Sequence, residues 1–417
     1  MLSREENELL TRTGPGTPTG KLMRRYWIPA LFSDQLPEPD SAPVRVKLLG
    51  EKLVAFRDTQ GRVGLIDERC PHRTASLFFG RNEECGLRCV YHGWKFDIEG
   101  NCVDLPSEPW DKDFKRKIKI TAYPCLERGG LVWTYMGPPE LKPDFPDLHW
   151  TVVPDSHRYV TRHVQECNWL QALEGGFDTS HLTFLHRGDE GNADGVRMNL
   201  PARYEVMPFD FGFVSGTVRS QGENNFWTCS VMLMPFHKLI STQPAGAHAW
   251  VPIDDENTMN YCIEYREDRP LTDEDLRDSR DAFFIHPQLI PGTDRPVANR
   301  DNNYLIDRAL QKSGQSYTGI KGIGRQDCSI QESMGPIADR SREFLGSSDA
   351  VIVRARRLYF KALDEHAASG KLPFGLDQGI DYRAIRALAI RFPRDTDWRQ
   401  LDLKNPPGYE FRLSDAS

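Results

Sequence analysis

Two short cysteine–histidine pairs constrain this chain more than any other feature of its sequence. Cys70 and His72 form a Cys-x-His pair, and Cys89 and His92 form a Cys-x-x-His pair after sixteen intervening residues. Two loops of this kind can enclose one metal centre between them. Two thiolates and two imidazoles are the ligands of a Rieske [2Fe-2S] cluster, in which histidines replace cysteines on one iron. A Cys2His2 zinc site uses the same donor atoms, so the ligand set alone leaves both kinds of centre open.

The residues around these pairs favour the iron–sulfur cluster. Cys-Pro-His at 70–72 is followed by Gly80, the second pair reads Tyr-His-Gly-Trp at 91–94, and Phe96-Asp97 precede Gly100. This order resembles the Rieske domain of the bacterial ring-hydroxylating oxygenases almost position by position. The resemblance implies a [2Fe-2S] cluster whose ligands are Cys70, His72, Cys89 and His92. Cys85, four residues before the second cysteine ligand, is expected to be a free thiol.

The composition is that of a folded protein without a nucleic-acid or membrane partner. A chain of 417 residues is long enough for two or three domains, and 39% hydrophobic with 27% charged residues are ordinary globular values. The net charge of -7 gives no basic field for nucleic acid and no polybasic patch for a membrane. No apolar run is long enough to span a bilayer and the start does not resemble a signal peptide, so we expect a cytoplasmic protein. The nine cysteines are spread along a long chain, which favours metal binding over disulfides.

The order of segments predicts an α+β protein with two main domains. Short β-branched segments separated by tight turns predict an N-terminal antiparallel β Rieske domain over residues 40–137. The prolines clustered between 138 and 146 mark a linker, because they remove backbone hydrogen-bond donors. Strands followed by helices predict an α+β catalytic domain over 138–417, an antiparallel sheet flanked by helices. Residues 1–39 are expected to pack on that catalytic domain.

A second group of metal-binding side chains follows the linker. A helix is predicted around 166–186, on which Asp178 and His181 lie three residues apart on one face. The carboxylate can then hydrogen-bond the ring nitrogen that a metal leaves free. His186 is five residues from His181, so both histidines reach one ion only if the helix bulges or ends between them. The alternative is two unrelated histidines, one of them a core residue.

Two histidines and a carboxylate form the facial triad of non-haem iron oxygenases, which can use the single electrons that a Rieske centre delivers. The segment resembles the mononuclear-iron motif of the same family, closest to its phthalate and phenoxybenzoate dioxygenase branch. The resemblance implies that His181 and His186 bind Fe(II), that Asp178 bridges to a neighbouring chain, and that a distant aspartate completes the triad. Asp327 fits that place, with an exposed helix cap as its other interpretation. The alternative third ligands are Glu332, Asp339 and Asp307.

The resemblance further implies the terminal oxygenase component of a multicomponent system. Electrons from NAD(P)H arrive through a separate reductase, with or without a ferredoxin, O2 is the co-substrate, and an aromatic ring is hydroxylated or dihydroxylated. The family's head-to-tail homotrimer, or a multiple of it, would let Asp178 link His181 to His92 of the partner subunit. Two alternatives stay open: an O-demethylase of a methoxy-aromatic acid, and a Rieske electron carrier without oxygenase chemistry.

The same branch implies an aromatic acid as the substrate. A carboxylate in an apolar pocket requires a buried cation, because an unpaired charge there is costly. Three residues are candidates: Arg187 follows an iron histidine, and His237 and Lys238 follow a strand-like segment at 231–234. The alternative for each is an ordinary surface charge, because lysine and arginine are seldom buried.

Overall fold

Two compact units make up the chain. A computed structural model of the protein describes residues 1–108, 112–187, 202–221, 223–282, 284–369, 372–376 and 379–396. Residues 13–152 form one unit, here called the small unit, which contains both cysteine–histidine pairs. Residues 1–12 and 153–417 form the other, here called the large unit, which contains the second group of candidate ligands.

Helices and strands alternate in blocks along the chain. The helices are α1 (Arg4–Thr11), α2 (Pro18–Met23), α3 (Lys112–Lys117), α4 (His149–Val152), α5 (Trp169–Phe177), α6 (Arg277–Arg280), α7 (Arg308–Ser313), α8 (Ile323–Ser333) and α9 (Ala350–Ser369). The strands are β1 (Trp27–Phe32), β2 (Val44–Leu48), β3 (Glu51–Arg57), β4 (Val63–Asp67), β5 (Arg81–Glu83), β6 (Gly86–Arg88), β7 (Lys95–Phe96), β8 (Cys102–Asp104), β9 (Ala122–Tyr123), β10 (Cys125–Arg128), β11 (Leu131–Tyr135), β12 (Arg158–Gln165), β13 (Ala202–Phe209), β14 (Gly212–Gln221), β15 (Asn224–Leu233), β16 (His237–Ile240), β17 (Ala245–Pro252), β18 (Thr258–Tyr265) and β19 (Ala389–Pro393).

The small unit is built from three antiparallel sheets. Their strand orders are β1-β11-β10, β2-β3-β4-β9 and β5-β6-β7-β8. The first cysteine–histidine pair follows β4, and the second lies in the loop between β6 and β7. Apolar side chains from these sheets, among them Phe56, Leu87 and Phe96, form one core that also contains both cysteines. The predicted N-terminal antiparallel β domain is confirmed.

The limits of the small unit differ from the boundaries predicted at 39/40 and 137/138. Strand β1 pairs antiparallel with β11, so the segment from residue 13 to residue 39 belongs to the small unit. The proline-rich linker also stays with this unit, because the ring of Trp133 packs edge-on against Phe145 at 5.1 Å and lies 5.9 Å from Trp150. Of the predicted N-terminal segment, only residues 1–12 lie in the large unit.

The large unit is organised by one eight-stranded antiparallel sheet. Its order is β12-β18-β17-β16-β15-β14-β13, with β19 also paired to β15. Helices α6 to α9 follow β18 in the sequence, and the predicted α+β architecture is confirmed. None of the helices within the described ranges has the length and apolar character that a bilayer crossing requires.

Helix α5 is fixed between the sheet and α8. Glu174, in the middle of α5, is buried and accepts hydrogen bonds from Arg340 at 2.7 Å and Arg356 at 2.6 Å. Two glycines follow it, and each allows a close approach. A Cβ on Gly176 would lie 2.2 Å from the ring of Trp250 on β17, so no larger residue fits there without movement. The ion pairs of Glu174 and the close approach of Gly176 to Trp250 therefore fix the position of the C-terminal end of α5.

Candidate metal centres

The two cysteine–histidine loops of the small unit have the same backbone turn. The N–H of Thr74 donates to the carbonyl of Cys70 at 2.8 Å, and the N–H of Gly93 donates to the carbonyl of Cys89 at 2.9 Å. Each donor lies four residues after its cysteine and has a positive φ, +58° for Thr74 and +79° for Gly93. Glycine adopts this left-handed conformation without a steric penalty, which explains its place in the second loop. Each turn presents a cysteine and a histidine together.

The four side chains are arranged with thiols inside and imidazoles outside. Cys70 and Cys89 are 1% and 3% exposed and belong to the core, whereas both histidines are only half-buried. The rings of His72 and His92 lie 4.4 Å apart, and His72 stacks on Trp94 at 4.5 Å. A two-iron cluster bound here would have its cysteine-ligated iron in the core and its histidine-ligated iron near the surface, where electrons enter and leave.

The chemistry of these donors fits a bound metal. Burial raises the pKa of the Cys70 thiol to about 11, and the neighbouring Cys89 adds to the shift. Such a thiol stays protonated at neutral pH unless a metal displaces its proton. Burial and the adjacent His72 lower the pKa of His92, which keeps its imidazole in the neutral form that binds metals. Among the described residues, the buried Nδ1 of His92 has no hydrogen-bond partner.

Cys85 occupies a different environment. It lies in the turn of the β5–β6 hairpin with φ +59°, it is half-exposed, and its N–H donates to Thr59 at 2.9 Å. It is not among the buried residues of the core that contains Cys70 and Cys89. All nine cysteines are free thiols in the structure, which agrees with the expectation that they form no disulfides.

In the large unit, the helix that leads to the second site ends earlier than predicted. Helix α5 stops at Phe177, and Asp178 is its C-cap in an extended conformation. Oδ1 of Asp178 accepts hydrogen bonds from the N–H and the hydroxyl of Ser180 at 2.8 and 2.6 Å, and this local turn replaces the helix. The prediction that Asp178 and His181 share a helical face is therefore wrong. They still meet, with Nδ1 of His181 3.6 Å from Oδ2 of Asp178.

The end of α5 lets both histidines reach one point. His181 lies in a single 3-10 turn, His181–Thr183, and His186 follows it. Oδ1 of Asp327, in the second turn of α8, lies 3.3 Å from Nε2 of His181 and 3.2 Å from Nε2 of His186. One donor atom from each of these residues lies within 4.8 Å of the others. The condition stated from the sequence, that regular helix must stop for both imidazoles to converge, is met.

The electrostatics of this group also fit a cation. Burial alone would raise the pKa of Asp327, but the adjacent imidazoles, His186 foremost, hold it far below its usual range. Burial alone would lower the pKa of His181, but Asp178 and Asp327 raise it to about 9. Oδ1 of Asp327 has no well-aligned hydrogen bond among the described residues. Two imidazoles and a carboxylate whose donor atoms face one another form the two-histidine, one-carboxylate set suited to a non-haem iron.

The other acids considered as third ligands have different roles. Glu332 accepts a hydrogen bond from the hydroxyl of Tyr304 at 2.6 Å. Asp307 caps α7 through the N–H groups of residues 309 and 310, and Asp339 accepts from Ser341 in an exposed turn. None of the three belongs to the group formed by the two histidines and Asp327.

Sequence reasoning missed one polar partner of this site. Oε1 of Gln326 lies 2.6 Å from Nδ1 of His186, and the glutamine side chain is completely buried. The outer nitrogen of each histidine thus faces a specific group, an amide for His186 and the Asp178 carboxylate for His181. The only signal in the sequence is that Gln326 directly precedes Asp327.

The three candidate cations for a substrate carboxylate differ in their surroundings. Arg187 is exposed, and its guanidinium lies over the rings of Phe184 and Tyr317 at 5.1 and 5.7 Å. His237 is buried, and burial lowers its pKa to about 3, so it carries no charge at neutral pH. Only Lys238 combines a charge with partial burial, and it lies on the opposite face of β16 from His237 because strand side chains alternate.

Lys238 is directed towards the end of α5. Its ammonium donates to the carbonyl of Gly176 and lies 5.4 Å from the ring of Phe177. Burial lowers its pKa to about 8, although the charges of Asp327 and Asp178 oppose the shift. The charge of Lys238 therefore interacts with the charges of both Asp327 and Asp178.

Comparisons with known proteins identify two families along the chain. The Rieske [2Fe-2S] domain family matches residues 26–123, and the family described as LigXa C-terminal domain like matches residues 134–408. The first match decides between an iron–sulfur cluster and a zinc site in favour of the cluster. Its start at residue 26 also includes strand β1, as the small unit does.

Characterised relatives extend along the whole chain. The oxygenase subunit of 3-chlorobenzoate-3,4-dioxygenase from Comamonas testosteroni is 41% identical over 95% of this chain and 97% of its own. The oxygenase subunit of phthalate 4,5-dioxygenase from Pseudomonas putida is 37% identical over 100% and 98% of the two chains. The oxygenase subunit of 5,5'-dehydrodivanillate O-demethylase from Sphingobium sp. is 33% identical over 88% and 81%.

A solved structure has the same fold. The Pseudomonas putida CBB5 NdmA QL mutant with theobromine superposes with a TM-score of 0.61 over 86% of this chain and 96% of its own, at 20% sequence identity. Fold, donor sets and relatives together define an oxygenase subunit that uses a Rieske cluster, a mononuclear iron and O2 and receives its electrons from a separate protein. The chain belongs to the family of Rieske non-haem iron oxygenases, next to the oxygenase subunits of phthalate and chlorobenzoate dioxygenases. The electron-carrier alternative is thereby excluded.

Proposed function

We propose that this protein is the terminal oxygenase that hydroxylates or dihydroxylates an aromatic acid. The convergence of His181, His186 and Asp327 carries the proposal, because this triad lies in a chain that also has a Rieske domain. When bound, the cluster supplies single electrons and the mononuclear iron supplies the site at which O2 is reduced. The names of the 3-chlorobenzoate and phthalate dioxygenase relatives, which match over nearly the whole chain, support an aromatic acid as the substrate class.

Each candidate ligand has a separate role in the proposal. The cluster is held by Cys70, His72, Cys89 and His92. The mononuclear iron is held by His181, His186 and Asp327, which leaves its remaining positions open for O2 and the substrate. Asp178 orients His181 by placing its Oδ2 3.6 Å from Nδ1 of the ring, which keeps Nε2 available to the metal.

Lys238 is the proposed partner of the substrate carboxylate. Its ammonium is a half-buried cation whose charge interacts with Asp327 and Asp178. A substrate carboxylate in contact with this ammonium would gain a charge-assisted hydrogen bond. Arg187 and His237 are weaker candidates, because the first is exposed and the second is neutral. An aromatic ring held by its carboxylate at Lys238 would have its remaining carbons free to face the iron.

The test uses oxygen uptake with a matched series of substrates. The purified protein with a reductase and NADH is given an aromatic acid, the corresponding neutral amide, and the methoxy derivative of the acid, and each product is identified by mass. We expect uptake coupled to product with the acid and little with the amide. Gain of two hydroxyl groups identifies dioxygenation, whereas loss of the methyl group as formaldehyde identifies the O-demethylase, which the dehydrodivanillate relative favours. Equal turnover of acid and amide would contradict the acid-binding role.

Assembly into a head-to-tail homotrimer is part of the proposal. Heterologous contacts of one surface with another close into rings, and such a ring would bring a neighbour's cluster to Asp178. Oδ2 of Asp178 faces His181, and each carboxylate oxygen has two lone pairs, so Asp178 can also accept from His92 of the partner subunit. The carboxylate would then carry electrons from cluster to iron.

Asp178→Asn separates this bridge from a purely orienting role. The bridge predicts an iron-loaded trimer in which oxidation of the reduced cluster is severely slowed. This oxidation is measured after rapid mixing of the protein with O2 and substrate. The orienting role alone predicts mainly loss of iron. Cluster oxidation at the wild-type rate in an iron-loaded Asp178→Asn trimer would refute the bridge.

The electron donor is a separate protein, as the oxygenase subunits among the relatives imply by their names. Whether a reductase acts directly or through a ferredoxin is decided by which purified component reduces the cluster. The seven cysteines outside the proposed cluster ligands form no disulfide, which supports a reducing compartment, and we infer that the protein works in the cytoplasm.

A further inference from the structure

The environment of His186 contains a buried glutamine, Gln326, that has no part in the ligand roles proposed above. Gln326 lies in the first turn of α8, immediately before Asp327, and its side chain is completely buried. Its amide has two distinct contacts. Nε2 donates to the carbonyl of Ile320 at 2.8 Å, and Oε1 lies 2.6 Å from Nδ1 of His186.

The first contact fixes the direction of the amide. A backbone carbonyl can only accept a hydrogen bond, so the NH2 end of Gln326 must face Ile320 and the oxygen must face His186. An amide oxygen can only accept as well. Nδ1 of His186 must therefore carry the proton, and the lone pair of the neutral ring is left on Nε2. Nε2 is the atom that lies 3.2 Å from Asp327.

We infer that Gln326 is a positioning residue that selects the metal-binding tautomer of His186 and fixes the orientation of its ring. The inference rests on the proposed metal site and adds a residue to it. Gln326 and Asp327 are neighbours on one helix, so α8 holds His186 at Nδ1 and presents the third ligand at Nε2. The two histidines are held differently, since His181 faces a carboxylate at 3.6 Å and His186 a neutral amide at 2.6 Å.

Two substitutions at Gln326 distinguish this role from simple packing. Gln326→Leu keeps most of the volume and removes the acceptor, whereas Gln326→Glu keeps an acceptor for the Nδ1 proton but adds a buried charge. A positioning role predicts that leucine weakens metal binding by about 10- to 100-fold and that glutamate keeps it within a few-fold of wild type. A packing role predicts the reverse order, because a buried carboxylate without need of its charge is the more disruptive change.

Gln165→Leu is the matched control. Gln165 is also completely buried in the large unit, and its amide donates to Gln331 at 2.5 Å without contacting either histidine among its described contacts. Its loss removes a comparable buried hydrogen bond, so this variant should lose similar stability yet bind the metal like wild type. Any effect specific to Gln326 is thereby separated from general destabilisation.

The measurement is equilibrium dialysis with Co²⁺. The mononuclear site of the full-length protein is first emptied with a chelator while the cluster is retained, and bound cobalt is then counted apart from cluster iron. The EPR signal of the reduced cluster should be unchanged in every variant. Wild-type Co²⁺ affinity in Gln326→Leu, or a loss in Gln326→Glu as large as in Gln326→Leu, would overturn the inference. Asp327→Ala tests the underlying site separately: if it binds Co²⁺ like wild type, the proposed metal site itself is wrong.

Discussion

Gly176→Ala should dislocate the second site without touching any of its ligands. A Cβ at this position would lie 2.2 Å from Cη2 and 2.7 Å from Cζ2 of Trp250. Carbon atoms in contact prefer about 3.5–4.0 Å, so the two groups must separate by at least about 1.3 Å. The Trp250 ring is 4% exposed and stacks on His248 at 5.1 Å, which leaves the end of α5 as the part that moves. Asp178 follows two residues later.

The expected cost combines two opposing effects. Overpacking costs about 1–3 kcal/mol, and the better helix propensity of alanine returns about 1 kcal/mol. The main effect should therefore be on the site: we expect a modest fall in the free energy of unfolding together with loss of the mononuclear iron, since ligands must be held to within about 0.5 Å. Urea unfolding and metal analysis measure the two quantities, and the cluster EPR signal should persist.

Gly175→Ala is the control for this prediction. A Cβ there would meet Nε2 of Gln331 at 2.1 Å, but that atom is the far end of a flexible side chain, which can rotate away. This variant should keep its iron, and its stability should fall because Gln331 must give up its buried hydrogen bond with Gln165. If Gly176→Ala retained iron as fully as Gly175→Ala does, the argument that close packing on Trp250 fixes the end of α5 would be refuted.

Three further predictions follow from the same structure. Lys238→Met should raise the KM for an aromatic acid by about 10- to 100-fold, because a charge-assisted hydrogen bond contributes about 1.5–3 kcal/mol, and should leave a neutral analogue unaffected. Since burial lowers the pKa of Lys238 to about 8, the wild-type KM for the acid should be constant below that pH and rise above it as the ammonium deprotonates, a dependence absent from Lys238→Met. Glu174→Ala should lower the free energy of unfolding by about 3–5 kcal/mol in a denaturant titration, because Arg340 is left as a buried, uncompensated charge. A loss below about 1 kcal/mol would show that this ion pair contributes little to stability. Cys85→Ser should leave the EPR signal of the reduced cluster intact while Cys70→Ser abolishes it, and equal loss in both would mean that the thiol of the hairpin turn is a ligand.

The features that the sequence predicted correctly depend on neighbours in the chain. The two cysteine–histidine loops are set by short local turns, with Gly93 at a left-handed position that the Cys-x-x-His-Gly pattern already specifies. In strand β2 of the small unit, buried and exposed positions alternate, as its sequence predicts. Asp327 was predicted as the third ligand through family resemblance, and the structure brings it to the two histidines across about 140 residues of chain.

The features that were missed depend on contacts between distant segments. Strand β1 joins the small unit only because it pairs with β11, about a hundred residues away. Helix α5 ends at Phe177 because the N–H of Ser180 donates a hydrogen bond to the side chain of Asp178. This local turn competes with continuation of the helix. Strand alternation places His237 and Lys238 on opposite faces, but only the packed sheet decides which face meets α5. Gln326 could not be identified at all, because its role depends on the distance to His186.

The central claim is that this chain carries two separate iron centres, and Asp327→Ala tests it most directly. Metal analysis of the wild-type protein should find one iron beyond the two that a Rieske cluster contains. In Asp327→Ala that additional iron should be absent, the Rieske EPR signal should be unchanged, and O2 uptake with substrate should vanish, because the triad has lost its anionic ligand. A variant that retained the additional iron and its turnover would contradict the account and assign the third ligand to another acid.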